Sequence, residues 1–299
     1  MIIDICYQEF LDNLLAEKNV SNATITSYET DFKILKSFLQ KNDIKPLLSS
    51  ITTPILRRYV SFLKVEKGYK TSTIRRKINS LSSFYNFLME QEYIEKNPML
   101  PIKAPKKEQK IPIYITEMDL KLLLEAPKKY ARFESHVLRD TALLKMLIYT
   151  GARRSEVLSM NWDDVDFGQQ TITIRKGKGG KERIVPLHES LSCDLWEYLQ
   201  TRLPLSNQAI FISDKGTRMS ISNFQTLFRR YLRKSGLEDK GYTIHKCRHS
   251  FASLLHQNGV DLLSIKELLG HEDLNSTNIY THTSVSHLKK EVDKFPISL

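Results

Sequence analysis

The chain has 299 residues, 41% of them apolar, which is material for more than one ordinary domain. Lysine and arginine number 45 against 34 aspartate and glutamate, a formal charge of +11 that favours a polyanionic partner. No apolar run approaches the ~18 residues of a membrane span, and "MIIDICYQEFLDNLL" lacks the basic start of a signal peptide. Cys6, Cys193 and Cys247 are scattered without CxxC spacing, which argues for a reducing compartment and against a disulfide framework. The expectation is a cytoplasmic protein that binds nucleic acid and not a membrane.

In chain order, helices are expected over about 4–18 and 22–41. Thr53-Pro54 has the form of an N-cap followed by proline at the first helical position, opening "ILRRYVSFL". In "TSTIRRKINSLSSFYNFLMEQEY" the residues Ile74, Ile78, Leu81, Tyr85 and Leu88 make one apolar stripe at helical spacing. Arg75, Arg76 and Lys77 are expected to start that fourth helix, where free amides also favour a phosphate. Residues 1–100 thus form a small helical bundle. "NPMLPIKAPKKEQKIP" follows, with four prolines that stop helix and sheet, and with Lys103, Lys106 and Lys107 between them. It is expected to be an extended basic linker over 101–113, dividing the bundle from residues 114–299.

The second part is mixed. Thr116 and Asp119 give a T-x-x-D cap, and "LRDTALLKMLIYTGARRSEVLSM" is a buried helix, a turn at Gly151 and another helix. "TITIRKGKGGKERIVPL" supplies two alternating runs, 171–175 and 182–187, around a glycine-lysine turn, which predicts a hairpin. After "AIFIS" the remainder is expected to be helical.

Four clusters carry chemistry. Arg153 and Arg154 emerge from an apolar helix at Gly151, with Glu156 three residues beyond Arg153. A guanidinium held there suits bidentate phosphate binding, although alone the pair reads as a surface ion pair. Lys176, Lys178 and Lys181 share a glycine-rich tip, where a closing partner could desolvate a lysine and lower its pKa toward general-acid use. His245, Arg248 and His249 can share one helical face. Lys246 stands where a metalloprotease would carry glutamate, and Arg248 repels a cation, so the face reads as an anion site and no metal is expected. Finally, "LLGHEDLNSTNIYTH" separates His271 from Tyr280 by nine residues, opposite sides of one helix. A stop at Gly270 and a fresh cap in "EDLNST" would bend the chain so that both side chains converge.

The ordered set, arginine after T-G-x, lysine in a GKG hairpin, H-x-x-R-H, LGH, then tyrosine, resembles the tyrosine recombinase (phage integrase) family, nearer its Xer-type members. The resemblance covers the whole chain. It implies a mainly α fold with a small antiparallel sheet: an N-terminal helical, SAM-like core-binding domain and an α+β catalytic domain closing as a C-shaped clamp on DNA. It implies Tyr280 as nucleophile, with Arg153, Lys178, His245, Arg248 and His271 completing the site. The family motif, with its arginine directly after T-G-x, selects Arg153 over Arg154, and Lys178 is chosen over Lys176 and Lys181 because it sits between two glycines. Two departures are Cys247, at a usually aliphatic position, and Arg154, at a usually small or aliphatic one.

On this reading the enzyme is a site-specific recombinase that cuts and rejoins DNA through a 3′-phosphotyrosyl intermediate and a Holliday junction, in integration, excision, inversion or dimer resolution. No cofactor is required. The partners implied are double-stranded DNA with an inverted-repeat core site and further subunits, a homotetramer on two DNA sites, alone or with a second recombinase. A terminal helix at about 285–294 would dock on a neighbouring subunit. The competing readings are a type IB topoisomerase-like enzyme and a catalytically silent DNA-binding regulator.

Overall fold

The computed structural model describes residues 1–18, 20–106, 113–175 and 182–270. The chain divides into two compact units, Met1–Lys110 and Ile111–Leu299.

The first unit contains four α-helices among its described residues: α1 (Ile3–Ala16), α2 (Asn22–Lys41), α3 (Thr53–Val65) and α4 (Thr71–Glu90). Ser21 caps α2 by accepting the Thr24 amide. The cap of α3 is Thr52, one residue before the expected one, so Pro54 sits inside the first turn, where its missing N–H is harmless. Thr53 instead donates its hydroxyl to the Pro98 carbonyl at 2.9 Å. Apolar faces of all four helices meet in one core that includes Phe10, Leu35, Leu56, Phe84 and Leu88. Tyr7 stacks on Phe32 with ring centroids 3.7 Å apart.

Two sequence expectations about α4 need correction. The helix begins at Thr71, so residues 75–77 lie in its second turn, past the free amides. Lys77, expected on a DNA-facing surface, is 3% exposed, and its ammonium donates to Asp31 at 2.6 Å. The helical stripe that buries Ile74, Ile78 and Leu81 carries Lys77 inward with it.

The second unit is built around α6 (His136–Thr150), an almost wholly buried helix packed by α5 (Glu117–Tyr130), α8 (Glu189–Gln200) and α10 (Ile244–Gln257). Thr116 caps α5 by accepting the Asp119 amide. The strands β1 (Val165–Asp166), β2 (Thr171–Ile174) and β3 (Arg183–Pro186) form one antiparallel sheet in that order. The β2–β3 register pairs Ile172 with Val185, both buried, while Ile184 between the inward positions points to solvent. The hairpin arms are where the alternation put them; β1 and α8 are additional. The remaining α-helices among the described residues are α7 (Arg154–Ser159), α9 (Ile221–Lys234) and α11 (Leu262–Leu269). Among the described residues no helix is long and apolar enough to cross a membrane.

Candidate active site

The site grows from the end of α6. Thr150 donates its hydroxyl to the Met146 carbonyl and accepts the Ala152 amide, closing the helix. Gly151 then turns left-handed, with φ of 58°. A Cβ there would stand 2.5 Å from Phe251 Cδ1, so both conformation and space require glycine. Arg153 follows as the N-cap of α7. Glu156, in the first turn, accepts the Arg153 amide at 2.8 Å and its Nη1 at 2.7 Å. The sequence marked Glu156 as a local partner of a surface arginine; in the fold it is 2% exposed and forms the floor of the site.

Glu156 has a second cation. Arg183, the first residue of β3, donates Nη2 to Glu156 at 2.8 Å and Nε to the Leu268 carbonyl at 3.1 Å. Burial alone would raise the Glu156 pKa. The bonds from Arg183 and from the Arg153 amide, the charge of Arg183 and the Arg153 guanidinium bond together hold it below the ordinary carboxylate range. Arg183 is a residue that sequence reasoning missed. Its partner lies 27 residues away, and no local pattern links them.

Arg248, on the inner side of α10, is also buried. It donates Nη1 to the Gly151 carbonyl at 2.9 Å and Nη2 to the Leu269 carbonyl at 2.6 Å. One guanidinium therefore joins the turn that presents Arg153 to the last turn of α11. Gly270 closes α11 in a left-handed conformation, φ 63°, and His271 is the next residue.

His245 stands in the first turn of α10 and is solvent-accessible. The entry to that helix is fixed from α5, where Asp119 accepts Lys240 Nζ at 2.8 Å and Tyr242 Oη at 2.7 Å. Partial desolvation of the ring, then the positive charges of Arg154, Arg248 and Arg153, lower the His245 pKa and favour neutral imidazole. Arg154 and His245 line one small cavity of about 200 Å³, with Arg229 and Tyr242. Between His245 and Arg248, Cys247 is fully buried, and burial pushes its thiol pKa up. Among the described residues no group of three or more histidine, cysteine or acidic side chains could hold a metal ion.

The fold thus brings Arg153, His245 and Arg248 within electrostatic reach of one another. Lys178, His271 and Tyr280 lie outside the described residues, as do Lys107, the expected bend at "EDLNST" and the expected helix at about 285–294. In the first unit, Arg75 and Arg76 line a groove of about 880 Å³ with Lys64, Lys70 and Tyr69. Arg76 grips Asp31 through both Nη atoms while remaining 45% exposed. Arg75 donates to the Pro105 carbonyl, and Lys103 and Lys106 are exposed.

The profile described as "Phage integrase family" matches residues 114–287, and that described as "Phage integrase, N-terminal SAM-like domain" matches residues 7–92. Tyrosine recombinase XerD of Staphylococcus epidermidis is 32% identical, over 96% of this chain and 97% of its own. Tyrosine recombinase XerC of Listeria monocytogenes is 35% identical, over 94% of each chain. A crystal structure of the XerH site-specific recombinase, bound to palindromic difH substrate in a post-cleavage complex, is 26% identical. It superposes with a TM-score of 0.76 over 93% of this chain and 81% of that one.

Proposed function

The chain belongs to the phage integrase family, and from that membership we propose how its residues carry out site-specific tyrosine recombination. The protein is a site-specific tyrosine recombinase, an enzyme that breaks and rejoins DNA. Tyr280 is the nucleophile. Its phenolic oxygen bonds to the scissile phosphorus, and the bond from phosphorus to the 5′-oxygen breaks. Free tyrosine, with a pKa near 10, is a poor oxyanion at neutral pH. His245, kept neutral by its surroundings, takes the phenolic proton, and Lys178 gives a proton to the departing 5′-oxygen. Arg153 and Arg248 neutralise the non-bridging oxygens as charge builds on them, and His271 hydrogen-bonds the same phosphate. The 3′-phosphotyrosyl link keeps the energy of the broken bond. A 5′-hydroxyl from a partner duplex can therefore reverse the step and exchange strands through a Holliday junction.

The observation that carries this reading is the Arg248 guanidinium, which joins the Gly151 turn to the end of α11. It supports a site in which Arg153 and His271 serve one phosphate. The test is a nicked suicide substrate, in which the cleaved strand loses its 5′-hydroxyl by diffusion. Wild-type protein should form a covalent DNA adduct, and Tyr280→Phe should form none. An adduct from the phenylalanine variant would remove Tyr280 from its role.

DNA is held, on the same proposal, by Arg75, Arg76, Lys103, Lys106 and Lys107 together with the groove residues Lys64 and Lys70. The core site is an inverted repeat, bound by four subunits on two DNA sites in the cytoplasm, at the nucleoid. Several phosphate contacts of this kind predict an affinity that falls steeply with salt.

A further inference from the structure

We propose that Arg183 is a positioning residue for catalysis, acting on Arg153 through Glu156 and on the approach to His271 through Leu268. The inference rests on the active site assigned above. Three observations converge on this side chain. It bonds Glu156, the carboxylate that holds both the amide and the guanidinium of Arg153. It bonds the carbonyl of Leu268, next to the Leu269 carbonyl that receives Arg248. It also lies against the backbone of Gly270, where an added Cβ would stand 2.9 Å from Arg183 Cδ. Arg183 opens β3 two residues after Lys181, so it follows directly on the segment that carries Lys178.

Charge explains why a second cation is needed. Glu156 alone would neutralise Arg153 and repel a phosphodiester brought up to it. With Arg183 on its other oxygen, the carboxylate is balanced from behind, at a side chain only 10% exposed. Arg153 then keeps its charge for the substrate, and its donors beyond the Glu156 bond make no hydrogen bond among the described residues. The same guanidinium fixes the last turn of α11, so the charge balance at Arg153 and the placement of the end of α11 depend on one residue.

The test compares cleavage of two suicide substrates, one with a phosphodiester and one with an uncharged methylphosphonate at the scissile position. If Arg183 acts by freeing and aiming the charge of Arg153, Arg183→Gln should bind DNA with unchanged affinity and cleave the phosphodiester roughly 10- to 100-fold more slowly at saturation. On the methylphosphonate, which has less charge to neutralise, the deficit should shrink to within about threefold. Equal deficits on both substrates, or no deficit on the phosphodiester, would overturn the proposal. Should the glutamine variant fail to fold, Arg183→Lys keeps the charge but cannot reach both partners. It should show a smaller deficit with the same recovery on methylphosphonate, and equal deficits would again overturn the idea. A wild-type protein that forms no adduct with either substrate would bring down the active-site assignment itself, and this inference with it.

Discussion

Replacing Glu156 by glutamine keeps its shape and removes its charge. In the wild-type protein Oε2 accepts two bonds, from the Arg153 amide and Arg183 Nη2, and Oε1 accepts Arg153 Nη1. A glutamine can offer its one oxygen at the first position, but its NH₂ then faces the Arg153 guanidinium. The partly exposed Arg153 can turn toward water; Arg183, 10% exposed, cannot, and it loses its carboxylate. Breaking a buried ion pair on one side costs about 3–5 kcal/mol. For a unit the size of Ile111–Leu299 that corresponds to a fall in melting temperature of roughly 6–20 °C. Because the pKa of Glu156 is depressed in the fold, its contribution is complete above the unfolded value of about 4.3 and fades as pH falls through the folded value. Thermal denaturation of the two proteins at pH 7 and at a series of acidic values measures both effects. The gap should be widest near neutrality and close toward acid. A gap below about 0.5 kcal/mol at pH 7, the range of an ordinary surface substitution, would refute the account of Glu156 as the buried charge centre of the site.

Three further outcomes follow from the geometry. Asp31→Ala should destabilise the first unit by about 3–5 kcal/mol, because it strands the buried Lys77 ammonium. Lys77→Met should cost less, since Asp31 retains its two bonds to Arg76, and calorimetry giving the opposite order would contradict this picture. Gly151→Ala should cost about 1–2 kcal/mol for the left-handed backbone and about 1–3 kcal/mol for crowding Phe251. A melting temperature equal to wild type would show that the turn relaxes freely. Arg154→Ala removes a positive charge beside His245 and so raises its pKa. If neutral His245 accepts the tyrosine proton, the acidic limb of the cleavage rate should move to higher pH; an unmoved limb would separate His245 from that step.

How far the sequence reveals such a site depends on the range of the interactions involved. The Gly151 turn is legible because its causes are local: an apolar helix must end, glycine accepts the left-handed conformation, and Arg153 follows at a fixed offset. The spacing of His245 and Arg248 on α10 is local as well, yet it does not reveal that Arg248 is buried and His245 accessible. That difference comes from α11 and the Gly151 turn, which cover one edge of the helix and leave the other open. Charge runs mislead for the same reason. Arg75, Arg76 and Lys77 are consecutive, but a helix advances about 100° per residue, so adjacent cations cannot all face one partner. Lys77 turns inward to an aspartate 46 residues away, and a run of three charges is divided between surface and core. Arg183 is the extreme case. Nothing beside it in the chain distinguishes it from the lysines of the preceding turn, whereas the carboxylate and the carbonyl it joins lie 27 and 85 residues distant. The residues proposed to meet substrate are legible because chemistry fixes their type and the local chain fixes their offset. Glu156, which holds Arg153, still sits at a local offset of three residues, but Arg183, which holds Glu156, is chosen by tertiary contact alone and so emerges only from the fold.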